Sequence, residues 1–135
     1  MSPKIFINLP VTDLKRAMDF YEAIGFKNNP QFTDETAACM VVSEEIYVMI
    51  LTHEKFSQFI TKSISDSKAQ ASAILSLEME SNARVDELVS KALAAGGNES
   101  REAMVLDFMY QRSVEDPDGH NWEFFYMDMS KFPAE

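Results

Sequence analysis

The sequence predicts an α+β fold in which a unit of one strand, one helix and three further strands occurs twice. Two observations support this: strand-like and helical segments follow in the same order in both halves of the 135 residues, and a glycine, Gly25 or Gly96, ends the helix of each half. One unit alone would bury too little surface to be stable. We therefore expect a single domain over residues 1–135, with a curved, mixed or antiparallel sheet around a cavity and the helices outside.

The first unit, at about residues 4–61, opens with a β-rich segment at 4–9. Thr12 or Asp13 can cap the helix that follows, because a short side-chain oxygen accepts a hydrogen bond from a free backbone N–H. Apolar residues then recur at helical spacing, at Leu14, Ala17, Met18, Tyr21 and Ile24. Gly25 stands where a left-handed C-cap is expected.

Two apolar, β-rich segments at 37–42 and 46–51 predict a hairpin, since only Ser-Glu-Glu separates them. A short helix is expected at 53–60. Residues 62–70 are polar, rich in Ser and Lys and without an apolar period, which is typical of a linker.

The second unit, at about residues 71–128, repeats this order. Ser81 or Asn82 can cap its helix, and Gly96 ends it. The remaining segments are a strand at 71–79, strands at 104–114 and 120–127, and a turn at Asp116-Pro117-Asp118-Gly119 between the last two.

Composition excludes several classes of protein. Twelve basic against 22 acidic residues leave a formal charge of −10, which would repel nucleic acids and anionic membranes, so neither is expected as a partner. The single cysteine, Cys39, excludes an intramolecular disulfide framework and a cysteine-based zinc site. No apolar run is long enough for a signal peptide or a membrane span, and we expect a cytoplasmic protein in which Cys39 is an inert buried thiol.

Three segments carry a family likeness. Asn-Leu-Pro-Val-Thr-Asp-Leu at 8–14, Phe-Tyr-Glu-Ala-Ile-Gly-Phe at 20–26 and Glu-Asp-Pro-Asp-Gly-His-Asn-Trp-Glu at 115–123 resemble the vicinal oxygen chelate superfamily, which includes glyoxalases, bleomycin resistance proteins and extradiol dioxygenases. The likeness spans residues 4–128. It implies the glyoxalase-like fold and a homodimer, and a second copy would also cover edge strands of an open sheet.

The resemblance also locates a metal site. In metal-using members four strands each supply one inward ligand, and the matching positions here are Phe6, Ile50, Ile74 and Glu123. Only Glu123 can bind a divalent cation. We therefore expect no metal or other cofactor, while a non-standard site of Glu123, a histidine and waters stays open as the alternative.

Glu123 is the candidate catalytic residue, because a carboxylate in an apolar cavity has a raised pKa and can act as an acid or base. A structural carboxylate paired with Arg112 is the alternative. Candidate substrate-binding residues are Tyr110, Arg112, Trp122, Phe6, Ile50, Ile74 and His120. For Arg112 the alternative is an ion pair, and for His120 it is a hydrogen bond within the turn or a place at a cavity rim.

Two functions remain open. The first is a glyoxalase- or bleomycin-resistance-like protein that binds a small molecule in a hydrophobic, aromatic cavity without the four-ligand metal site. Bleomycin-resistance relatives bind a basic drug, and an acidic chain would match such a ligand in charge. The second is a metal-dependent lyase, isomerase or dioxygenase with a non-standard site, and any enzyme activity would resemble that of a lactoylglutathione lyase. A structural or regulatory partner protein is a third, less supported class.

Overall fold

A computed structural model of the chain describes residues 2–133, and it confirms the α+β class. Over these residues the strands form two mixed, open sheets with few helices. The first module comprises β1 (Ile5–Val11), α1 (Leu14–Ala23), β2 (Lys27–Asn29), β3 (Ala37–Val41), β4 (Ile46–Thr52) and α2 (His53–Ser57). The second comprises β5 (Ile74–Glu78), α3 (Asn82–Ala94), β6 (Asn98–Glu99), β7 (Met104–Val105), β8 (Met109–Glu115) and β9 (Asn121–Met127).

Each module builds its own sheet. Sheet A has the strand order β1-β4-β3-β2, and sheet B has the order β5-β9-β8-β6 with β7 paired to β8. The first strand of each module runs parallel to the last, β1 with β4 and β5 with β9, and the other pairs are antiparallel. The predicted hairpin is therefore present as β3 and β4, but the strands hydrogen-bond as two sheets rather than as the single sheet expected.

The helix ends follow the predicted chemistry. Asp13 caps α1 by accepting from Arg16 N at 3.1 Å, and Ser81 caps α3 by accepting from Arg84 N at 3.1 Å. Gly25 ends α1 with a φ of 103°, a left-handed conformation that favours glycine. Thr12, the other candidate cap, donates instead to the Asp118 carboxylate.

Helices α1 and α3 cover one face of the sheets. Val48 and Ile50 of β4 and Phe124 of β9 belong to one buried core with residues of α1 and α3. Side chains alternate along a strand, so the intervening residues lie on the opposite face, which we call the open face. On sheet A the open face carries Phe6, Asn8, Tyr47 and Met49, and on sheet B it carries Ser76, Gln111, Ser113 and Glu123.

A buried hydrogen-bond chain joins the modules. The Tyr21 hydroxyl, on α1, donates to the Asp116 carboxylate and accepts from the indole N–H of Trp122 at 3.1 Å. Burial, together with the neighbouring Asp116, holds the pKa of Tyr21 well above its ordinary value, so the phenol remains a donor. Asp116 also accepts from the backbone N–H groups of Asp118 and His120 at 3.0 and 2.8 Å. The first helix is thus bonded to the last hairpin.

A second contact lies beside it. Asp118 Oδ1 accepts from both the backbone N–H and the hydroxyl of Thr12, at 2.9 and 2.8 Å. His120 Nε2 lies 2.7 Å from the Pro10 carbonyl oxygen, and because a carbonyl only accepts, Nε2 donates. The turn at 116–119 therefore clamps the end of β1, and we call these contacts and the Tyr21 chain the turn clamp.

Replacing Tyr21 by Phe removes the hydroxyl that joins Asp116 to Trp122. Both partners stay buried without that bond, so we expect the free energy of unfolding to fall by about 1–3 kcal/mol. Urea denaturation measures the change. Tyr47→Phe is the matched control, because its hydroxyl donates to Glu44 O in an exposed setting. Equal losses in the two variants would contradict a special role for the turn clamp.

Candidate functional site

Glu123 lies on the open face of sheet B, and both of its carboxylate oxygens are hydrogen-bonded. Oε1 accepts from the Ser76 hydroxyl at 2.9 Å, and Oε2 accepts from the Gln111 amide at 2.8 Å. Ser76 is the cross-strand partner of Glu123 on β5, and Gln111 lies on β8. The groups in direct contact with the carboxylate are polar, while apolar residues line part of the cavity beside it. Two neutral donors thus orient a partly exposed carboxylate.

A small cavity of about 200 Å³ adjoins this carboxylate. We call it the Glu123 cavity. Its other lining residues are Ala71, Ile74, Ser100, Arg101, Ser113, Asn121 and Trp122. Arg101 supplies a positive charge near the acid, so the cavity offers both a donor group and an acceptor group.

A larger cavity of about 480 Å³ lies where the modules meet. We call it the intermodule cavity. It is bounded by residues 7–10 of edge strand β1 and by Leu75 of edge strand β5, with the segment that connects α2 to β5 as its outer wall. Ala71 and Asn121 line both cavities, which are therefore adjacent.

The intermodule cavity has a floor that is apolar apart from Asn8, and a wall that carries both polar and apolar side chains. Its apolar lining is Ile7, Leu9, Pro10, Phe56, Ile60, Ile64, Ala71, Ala73 and Leu75, and its polar lining is Asn8, Lys62, Ser63, Ser65, Ser67, Gln70, Ser72, His120 and Asn121, with Gly119 completing the wall. None of these residues is Asp or Glu. The cavity combines an apolar surface with hydroxyl and amide groups and two groups that can carry positive charge.

The outer wall is hydrogen-bonded to the turn clamp. The Ser67 hydroxyl donates to the Asp118 carbonyl at 2.6 Å. Gly119 has a φ of +93°, and a Cβ there would lie 2.6 Å from the Ser67 carbonyl oxygen. Only glycine fits so close an approach, so this residue sets the position of the wall over the cavity.

His120 is the one predicted binding residue that lines the intermodule cavity. Its backbone N–H and its ring are both engaged in the turn clamp. His120 therefore hydrogen-bonds within the turn and lies beside the cavity, as in the alternative to a binding role. Its imidazole ring, an ionisable group, is one of the groups that line the cavity.

Two predicted binding residues lie in the core instead. Ile50 is fully buried and packs in the core that α1 and α3 share, and Met49 occupies the open face in its place. Trp122 is 2% exposed and contacts Tyr21, Phe26 and Phe124. Ile50 therefore serves packing, whereas Trp122 packs in the core and also lines the Glu123 cavity. Its part in binding stays a prediction.

Tyr110 and Arg112 point toward α3 and β6 rather than toward Glu123. The Tyr110 hydroxyl donates to Asp86 at 2.6 Å. Arg112 donates to both Glu99 oxygens at 2.9 and 2.8 Å and to Asp86 at 2.9 Å. Glu99, the main partner, holds the pKa of Arg112 above its ordinary value. The alternative pair of Arg112 with Glu123 is therefore not formed, and Arg112 instead pairs with Glu99 and Asp86.

The remaining predicted residues are accessible. Phe6 is 51% exposed and stacks on Tyr47 with ring centroids 4.5 Å apart, and Ile74 is 60% exposed at the Glu123 cavity. Their part in binding stays a prediction. Cys39 is buried, and burial raises the pKa of its thiol, which favours the inert role expected.

The residues present do not fit a chelated divalent cation. Glu123 is the only ionisable group at the four ligand positions, and its oxygens are already bonded to Ser76 and Gln111. Across residues 2–133 no three His, Cys, Asp or Glu side chains cluster so as to hold a metal ion. Such ions need several nitrogen or oxygen ligands, so we derive no step through a metal.

The connecting segment at 62–73 and the clamp residue Asp118 were not predicted as parts of the site. Serine-rich, aperiodic sequence indicates only a linker. The Asp-Pro-Asp-Gly motif indicates a turn, and nothing in it shows which distant atoms its carboxylates bond.

In residues 2–133 no helix has the length and apolar character needed to cross a bilayer.

Comparison with known proteins decides the family. The model of the glyoxalase/bleomycin resistance protein/dioxygenase superfamily matches residues 5–124. The chain belongs to this superfamily. No curated protein matches the chain significantly.

Several solved structures share the fold of this chain. A hypothetical protein, SA1046, from S. aureus is 28% identical, with a TM-score of 0.78 over 93% of this chain and 94% of that one. A glyoxalase-related enzyme from Fulvimarina pelagi is 22% identical, with a TM-score of 0.78 over 93% and 88%. The fosfomycin resistance protein FosX from Mesorhizobium loti is 14% identical, with a TM-score of 0.69 over 96% of each chain. The last two likenesses show the fold alone.

Gly119→Ala tests how the cavity wall is held. Left-handed backbone costs a non-glycine residue about 1–2 kcal/mol, and the clash with Ser67 adds about 1–3 kcal/mol. We expect a lower free energy of unfolding and faster amide hydrogen exchange over residues 63–72. Gly25→Ala is the matched control, because its φ is +103° but a Cβ meets only a flexible Arg84 atom at 3.8 Å. Equal exchange in both variants would show that the wall does not depend on Gly119.

Proposed function

We propose that this member of the superfamily binds a small organic molecule in the intermodule cavity without a chelated metal ion. The observation that carries the proposal is the cavity itself, of about 480 Å³ between the two edge strands, with apolar residues of both strands on its floor and most of its polar groups on the wall and rim. Ligand cavities in proteins commonly span roughly 300–1,000 Å³ and have this mixture of surfaces.

The adjacent Glu123 cavity extends the binding region. Asn121 and Ala71 form the boundary between the two spaces, so a ligand in the larger cavity can reach toward the carboxylate. Ser76 and Gln111 hold that carboxylate in one orientation, which suits an acceptor for a ligand hydroxyl. The same geometry would let Glu123 take a proton, and this is the catalytic role we assign to it if a reaction occurs.

Relatives support a small molecule as the ligand class. The FosX structure is that of a fosfomycin resistance protein, and other similar structures are described as glyoxalase/bleomycin resistance proteins. Resistance to a drug points to a small-molecule site in those proteins. Carrying this class onto the present chain is part of the proposal.

A homodimer is the assembly we propose. Ile5, Phe6 and Ile74 are each at least half exposed, and a second copy would cover these apolar side chains. Sedimentation equilibrium tests it, and a monomer at micromolar concentration would contradict it. We propose no nucleic-acid or membrane partner, and the cytoplasmic location stays a prediction.

Filling the cavity provides the test of binding. Thermal-shift screening against metabolites and drugs should yield compounds that raise the melting temperature, since a ligand at 100 times its Kd stabilises by about 2.7 kcal/mol. In Ala73→Trp, a new indole occupies the intermodule cavity, so the shift should disappear. Ala83→Trp, at an exposed position of α3, is the matched control and should keep it.

Two results would overturn the proposal. One is a screen in which no compound stabilises the wild-type chain. The other is a stabilisation that survives in Ala73→Trp, because the ligand would then lie outside the intermodule cavity.

Metal independence is tested separately. We expect chain purified without added metal to contain less than one equivalent of any divalent ion, and Ni²⁺, Zn²⁺ or Fe²⁺ to leave the melting temperature unchanged, because one carboxylate is a poor site. Elemental analysis and thermal denaturation measure this. Stoichiometric metal that is lost in Glu123→Gln would instead support the metal-dependent lyase, isomerase or dioxygenase.

A further inference from the structure

We propose that the ligand of the intermodule cavity is an amphipathic monoanion, a molecule with one negatively charged head group and an apolar body. This inference deepens the proposed binding function and rests on it. The juxtaposition behind it is a carboxylate-free cavity with an apolar floor and a lysine in its wall, within a strongly acidic chain.

The charge distribution is the first step. The chain has 22 acidic residues against 12 basic ones, yet none of the residues lining the cavity is Asp or Glu. The ionisable lining residues are Lys62, in the wall, and His120, at the rim. Glu123 lines only the adjacent cavity. A cationic group held within the intermodule cavity would therefore find no carboxylate in its lining, and the local chemistry favours an anion over a cation.

The apolar floor is the second step. Ile7 and Leu9 of β1, Leu75 of β5 and Phe56 of α2 line the part opposite the wall. Burying a hydrocarbon body against these side chains contributes about 25 cal/mol per Å² of apolar surface. A small, fully polar anion would gain nothing from them, so the body of the ligand should be apolar.

The polar wall is the third step. Hydroxyls of Ser63, Ser65 and Ser72 lie along it with Lys62. Hydroxyl and ammonium groups donate hydrogen bonds to an oxyanion. The single lysine matches one negative charge better than the two charges of a phosphate.

The overall charge of −10 does not oppose this arrangement at physiological salt. Interactions between exposed charges are screened beyond about 8 Å at 0.15 M ionic strength. A ligand within the cavity is therefore governed by the groups that line it. The net charge acts mainly on the rate at which an anion approaches.

Three probes of equal length separate the alternatives. Isothermal titration calorimetry with octanoate, 1-octanol and octylamine compares an anion, a neutral molecule and a cation on the same alkyl chain. We expect octanoate to bind most tightly, and its advantage over octanol to shrink as salt is raised. Octanol or octylamine binding as well as octanoate would overturn the anionic class and leave the binding function standing.

Lys62→Gln tests whether the Lys62 ammonium binds the anionic head group of the ligand. Because an exposed ion pair is worth about 0.2–1 kcal/mol, the Kd for octanoate should rise about 1.4- to fivefold, and the Kd for octanol should not change. Lys27→Gln is the matched control, since Lys27 is exposed and lies on β2, away from the cavity. An unchanged octanoate Kd in Lys62→Gln would overturn the inference, and no binding by any of the three probes would overturn it together with the proposed function.

Discussion

The fold and the cavity depend on one constraint, the burial of two turn carboxylates against the first module. Asp116 and Asp118 are each 3% exposed, and a buried carboxylate is costly unless it is hydrogen-bonded. Tyr21 and Thr12 of the first module supply those donors. Because the donors lie on or next to β1 and α1, the hydrogen bonds to Asp116 and to Asp118 Oδ1 fix β1 relative to the second module. The space left between the edge strands is the intermodule cavity.

Much of the fold could be predicted because its signals are local. The apolar stripe of α1, the caps at Asp13 and Ser81 and the left-handed glycine at Gly25 are each set by residues within a few positions of one another. The break of the predicted strand at 104–114 into β7 and β8 was missed. Leu106 and Met109 exchange backbone hydrogen bonds across that break, and no glycine or proline marks it.

The site was less predictable because it depends on which face of each strand is covered. In β4 both Met49 and Ile50 are apolar, and in β8 Gln111 and Arg112 are both polar, so composition does not separate the faces. An error of one residue turns a side chain to the opposite face. That error moved the expected site from Met49 to Ile50 and paired Glu123 with Arg112, whereas Gln111 is its partner. The open-face position of Glu123 could be predicted because this residue follows the Asp-Pro-Asp-Gly turn at a short, fixed distance along β9.

The net charge of the chain likewise does not predict the charge of the residues that line the cavity. An acidic chain matches a basic drug only if its carboxylates face the ligand. Here the described acidic residues near the cavities are engaged elsewhere: Asp116 and Asp118 in the turn clamp, and Glu99 and Asp86 with Arg112. Of these two cavities only the smaller one is lined by a carboxylate, that of Glu123. The ligand class therefore follows from the lining of the cavity, since a superfamily fold retained at 14% identity can present very different side chains on the same strands.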